Sequence, residues 1–62
     1  MPSYVFFIET TQQEGIAEFP TLLAAKQNAW GIAQTHNSRV RVTDNMDYFN
    51  DHYVSPTDEY PR

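Results

Sequence analysis

Ser3–Thr10, SYVFFIET, is the stretch on which the reading of this chain turns. Its β-branched and aromatic residues favour a strand. Side chains alternate along a strand, so Tyr4, Phe6 and Ile8 share one face and Val5, Phe7 and Glu9 the other. Both faces are largely apolar, as in a central strand covered on two sides. Such a strand needs a neighbour at each edge, and the flanking sequence offers them. Thr11-Gln12-Gln13-Glu14-Gly15 reads as a hairpin loop in which Gly15 takes a positive φ. Ile16–Phe19 reads as a short returning strand, ended by Pro20. Arg39–Thr43, RVRVT, alternates cleanly, with Val40 and Val42 inward and Arg39 and Arg41 outward.

Between the second and third strands lies a helix, from about Thr21 to His36. Thr21 is placed to cap it. At about 100° per residue, Leu22, Ala25, Ala29, Ile32, Ala33 and His36 fall on one arc. Alanine occupies the centre of that arc, which lets the helix axis approach a sheet of bulky aromatics. Leu23 and Trp30 form a second apolar stripe at its edge. Gln27, Gly31, Gln34 and Thr35 make the wet side, and Asn37-Ser38 ends the helix. After the third strand, Asp44 is expected to cap a short turn through Phe49. A fourth, edge strand is expected over Asp51–Ser55.

The order β-β-α-β(-β) predicts an α+β fold with one helix on a small, mainly antiparallel sheet. Placing the doubly apolar strand in the middle gives the strand order 2-1-3. Residues 1–55 form the single domain, and residues 56–62, rich in proline, form an extended or mobile tail. One helix covers one face of a sheet. The other face has to be covered by the aromatics Tyr48, Phe49 and Tyr53, by a second copy of the chain, or by a target.

Size sharpens that point. A 62-residue chain buries only about 60% of the surface its unfolded form exposes, so its stability is marginal. Domains this small usually need a disulfide, a metal or a partner chain. There are no cysteines, which excludes disulfides and thiolate zinc sites and fits a reducing compartment. His36 and His52 show no ligand-type spacing. Partner binding or oligomerisation is therefore the expected supplement. No apolar run approaches the roughly 20 residues that span a bilayer, and Met1-Pro2-Ser3-Tyr4-Val5 has no basic leader segment. A cytoplasmic protein is expected, with no membrane partner.

The net charge is −4, and its distribution is uneven. Residues 1–43 balance to zero, so the whole excess lies in residues 44–62, among Asp44, Asp47, Asp51, Asp58 and Glu59. Nucleic acid and anionic membranes need a basic footprint, so direct nucleic-acid binding is not expected. A host protein with a basic surface fits better.

Chemistry finds little support. No activated nucleophile or Gly-x-Ser-x-Gly is present, and Ser3, Ser38 and Ser55 all sit at element ends. Neither Gly15 nor Gly31 lies in a phosphate-cradling turn. Asp47, Asp51 and His52 would meet around a metal only if their segment were helical, and they read instead as a solvated acidic surface. His36 reads as a helix-terminal residue interacting with the dipole. The strand aromatics lack the basic and glycine residues of an RNA-stacking sheet. No enzyme, metal or cofactor is expected. Leu23 and Trp30 are the better lead, since tryptophan is enriched at binding hot spots, although both would also serve to cover the sheet edge or pack under the tail. The acidic, aromatic segment Asp44–Glu59 is the other lead. Together they nominate Leu23, Trp30, Asp47, Tyr48, Asp51 and Tyr53 as partner-contacting residues.

Residues 19–42, FPTLLAAKQNAWGIAQTHNSRVRV, present a strand end, then T-L-x-x-A-K-x-x-A, then an alternating V-x-V strand. This layout resembles that of small bacteriophage-encoded inhibitors, including some anti-CRISPR proteins. Several of those are basic where this chain is acidic, so no binding residue carries over. The resemblance implies a mode: a compact non-enzymatic protein that binds a host defence complex and blocks it. The alternative is a small homo-oligomer that holds a metabolite or signalling nucleotide between its subunits.

Overall fold

A computed structural model of the chain describes every residue except Met46, and the side chains of residues 47–49 are also outside the description. It has the element order β1 (Ser3–Ile8), β2 (Gln13–Glu18), α1 (Leu22–His36), β3 (Val40–Asp44) and β4 (Asp47–Val54). The four strands form one antiparallel sheet in the order β2-β1-β3-β4. The predicted α+β class and the central place of the SYVFFIET strand are thus observed.

Register explains how the core assembles. Phe6 lies opposite Gly15 on one side and Val42 on the other. Tyr4, Phe6, Val40, Val42 and Val54 therefore face one way, and the helix covers them with Ala25, Ala29 and Ala33. All three alanines are fully buried. Their i, i+4, i+8 spacing puts one methyl group per turn against the sheet, and larger side chains at those positions would hold the axis away. Leu22, Ile32 and Trp30 pack at the margins, and Phe19 meets Phe6 edge to face at 5.8 Å.

The caps follow the sequence. Thr21 Oγ1 accepts from Ala24 N at 3.1 Å, satisfying one of the orphan donors of the first turn. Asn37 adopts the left-handed conformation at φ 48°, and its N–H bonds back to Ala33 O, a role asparagine fills with little penalty. Buried Ser38 then ties the helix exit to the β1–β2 turn: its Oγ accepts from Thr10 N at 3.1 Å.

Four expectations are corrected. The hairpin loop is shorter, because β2 begins at Gln13, and the residue with positive φ there is Gln12, at 59°, while Gly15 lies inside the strand with an ordinary φ. The turn expected from Asp44 through Phe49 is replaced by β4, which starts at Asp47; pairing with β3 overrides the poor strand propensity of aspartate and asparagine. His36 is exposed and does not join the inner arc. The wet side of the helix is partly occupied, with Gly31, Gln34 and Thr35 still exposed. Residues 56–62 run back along it, and three side chains on α1 hold their carbonyls: Gln34 Nε2 to Pro56 O at 2.6 Å, Trp30 Nε1 to Asp58 O at 2.9 Å and Gln27 Nε2 to Pro61 O at 3.0 Å. Tyr60 adds an edge-to-face contact with Trp30 at 5.2 Å. The segment is extended, but it is docked.

Candidate protein-binding surface

The helix, with the tail along its outer side, covers one face of the sheet. Among the described residues no element covers the other. Alternation and register define what that bare face presents. One row across the strands reads Glu14, Phe7, Arg41, Tyr53, and the next reads Ile16, Val5, Thr43, Asp51. Ile16 and Tyr53 are among the most exposed large apolar side chains of the chain, at 63% and 48%. Val5 and Phe7 are half-buried.

Two arginines lie flat on this face. Arg41 sits over the ring of Phe7 at 4.8 Å and Arg39 over Tyr53 at 4.7 Å. A guanidinium above a ring gains from the quadrupole and shields apolar surface with its stem. This answers in part how the second face of a doubly apolar strand tolerates water. Arg39 is further held by a bidentate pair with Glu9, with Nη2 to Oε2 at 2.8 Å. Arg41 Nε is buried and has no hydrogen-bond partner among the described residues. Thr43 Oγ1 donates to Asp51 Oδ1 across the β3–β4 pair at 2.7 Å. The face is thus a central cationic stripe on β3, with Glu9 and Glu14 on one flank and Asp51 on the other.

Hydrogen bonding from Arg39 holds the Glu9 carboxyl below the ordinary glutamate value of 4.5, with burial opposing and the charges of Arg39 and Arg41 assisting. The pair raises Arg39 in turn. The sign follows from linkage. A carboxyl with a depressed folded-state pKa contributes stability that is present above its unfolded value and is lost as pH falls through the folded value. Arg39→Gln is therefore expected to lower Tm slightly at about pH 7, as exposed ion pairs do. The gap between wild type and variant should narrow as the pH is lowered to about 3 and the carboxyl takes up its proton. Thermal melts at the two pH values check this, and an unchanged gap would contradict it.

The nominated contact residues do not form one surface. Asp51 and Tyr53 lie on the bare sheet face. Leu23 is on the helix, 41% exposed, and Trp30 is half-buried beneath the tail, which is the second of the roles its position allowed. The side chains of Asp47 and Tyr48 lie outside the described residues. Asp51 and His52 are consecutive on a strand, so they point to opposite faces and cannot share a metal from one side. Among the described residues no group of three or more metal-ligating side chains gathers, and no helix is long and apolar enough to cross a membrane. Phe7, Ile16, Arg39 and Arg41, none of them among the nominated contact residues, also lie on the bare sheet face. The outward arginines of RVRVT were the available signal.

The chain matches no known family model, no curated protein and no solved structure.

Proposed function

We propose that this chain is a small non-enzymatic binding protein that docks on a larger host protein complex through the bare face of its sheet and blocks it. The observation that carries the reading is that face itself: Val5, Phe7, Ile16 and Tyr53 around a stripe of two arginines, with no covering element among the described residues. A domain this small has little apolar surface to spare, and leaving such a face open favours a partner over folding. The aromatic–arginine composition is that of binding hot spots. The negative charge of residues 44–62 would steer the chain toward a basic surface. That docking serves to block its partner rests on the layout resemblance of residues 19–42.

The test is site-specific photo-crosslinking in host lysate, with the reactive side chain placed at position 16 or 53 on the sheet face, or at position 23 on the helix. Adducts from positions 16 and 53 to one host protein, lost in an Arg41→Glu background that still melts cooperatively, are the expected result. Adducts confined to position 23 would overturn the reading. So would a sedimentation profile showing a dimer that Ile16→Asp returns to monomer, because a second copy would then own the face.

A further inference from the structure

The outer edge of β2 combines three features that the fold does not need. The first is a free hydrogen-bonding edge. Phe19 N donates to Pro2 O at 3.1 Å, and paired bonds recur at every second residue of an antiparallel ladder. Gln13, Gly15 and Ala17 therefore bond toward β1, while the N–H and C=O groups of Glu14, Ile16 and Glu18 point outward. No strand pairs with them among the described residues.

The second feature is a groove of about 530 Å³ between β2 and α1. Phe6 and Ile8 form its floor, Ile32 and Asn28 its helix wall, and Gly15 and Ala17 its low outer lip. The helix sits over β1, β3 and β4, so the space above β2 is left open. The third is Gly15. Its φ is not positive, and a Cβ built there would meet nothing within 4 Å. Neither backbone conformation nor internal packing calls for glycine, and mid-strand glycine weakens a strand. Glycine in such a place marks the close approach of another chain.

We propose that β2 takes up an extended segment of a partner protein as a fifth strand, and that the segment carries the pattern basic–apolar–polar–apolar–basic. The chemistry of each position follows from register. Segment residues opposite Gly15 and Ala17 face the helix side, and the one opposite Gly15 passes over the missing side chain into the groove. Residues opposite Glu14 and Glu18 lie on the far face, where lysine or arginine meets a carboxylate. The two glutamates also weigh against a second copy of this chain paired about Ile16. Antiparallel self-pairing centred on Ile16 would set Glu14 of each copy against Glu18 of the other, and like charges directly opposite destabilise a sheet. The edge is thus guarded against itself and open to a basic strand. Main-chain bonds supply affinity and the groove supplies selectivity, as in other strand-addition sites. Glu14 and Ile16 also border the bare sheet face, but the segment is held here by the main chain of β2, and the inference stands whether or not Phe7, Arg41 and Tyr53 bind a partner.

The test uses the full chain and a fluorescein-labelled peptide, Thr-Lys-Val-Thr-Val-Arg-Thr, with a second peptide carrying glutamate in place of lysine and arginine. Binding is followed by anisotropy, and its location by amide chemical shifts. The expected result is shifts centred on Glu14, Ile16 and Glu18 with the basic peptide and none with the acidic one. Gly15→Val is expected to keep or raise the melting temperature, because its side chain enters open space and favours a strand, yet to weaken the peptide by roughly tenfold or more. Should that variant lose its fold, the double variant Glu14→Lys/Glu18→Lys gives an independent reading: it should prefer the acidic peptide. Shifts confined to Phe7, Arg41 and Tyr53, no shifts at all, unchanged affinity in a folded Gly15→Val, or unaltered charge preference in the double variant would each overturn the proposal.

Discussion

Phe6→Ala is expected to abolish cooperative unfolding or to lower Tm by about 15 °C or more in a circular dichroism melt. Phe6 is 5% exposed at the middle of the central strand. Its ring meets Phe19 at 5.8 Å with the planes at 79°, and it packs in the same cluster as the helix alanines and the β3 valines. Truncating a buried phenylalanine costs about 3–5 kcal/mol, partly as lost transfer energy and partly as cavity. A domain of this length has a total stability of roughly 3–9 kcal/mol. The loss is therefore comparable with the whole. Phe7→Ala is the informative control. Phe7 is the next residue, yet it faces the bare side under Arg41 and is half-buried. Its truncation should leave a clear two-state melt. Equal effects at positions 6 and 7 would mean that the assignment of faces is wrong.

Ala29→Leu is expected to have the second largest effect, from the opposite cause. Ala25, Ala29 and Ala33 are each fully buried against the sheet. Leucine at the central one adds three carbons where the helix packs against the sheet with no exposed surface to spare. Overpacking a filled core costs about 1–3 kcal/mol and sometimes more. Leucine is nearly as good a helix former as alanine, so propensity cannot account for a loss of that size. The helix would have to lift, and Trp30, Gln27 and Gln34 would lose their alignment with the carbonyls of residues 56–61. A drop in Tm together with a loss of tryptophan near-ultraviolet dichroism is the expected signature. Thr35→Leu, on the exposed side of the same helix, should leave both unchanged. If the two leucine variants melt together, the alanine stripe does not set the helix–sheet distance.

Both expectations rest on features legible before any coordinates. The double apolar alternation of Ser3–Thr10 announces a central strand. The i, i+4, i+8 alanines announce a helix lying close to a sheet, and Thr21 announces where it starts. From these the α+β class and the order 2-1-3 follow, because each signal is written within a few residues of itself. The errors lie where that condition fails. Residues 44–49 look like a capped turn by propensity, and only pairing with β3 makes part of them a strand. Gly15 reads as a loop glycine until its register places it opposite Phe6. The docking of residues 56–61 depends on main-chain carbonyls, which carry no side-chain identity for a sequence to display.

The candidate surfaces divide in the same way. Acidic and aromatic residues near the C-terminus were visible as a composition, but Leu23 and Trp30 end on one side of the molecule and Asp51 and Tyr53 on the other. Alternation shows that a strand has two faces, whereas coverage of a face depends on elements distant along the chain. Local chemistry thus determines what the elements are and roughly how they stack. Which face is left bare, and which edge stays unpaired beside an open groove, is decided only when the helix settles over β1, β3 and β4 and leaves β2 without a lid, since packing is a property of neighbours in space and not of neighbours in sequence.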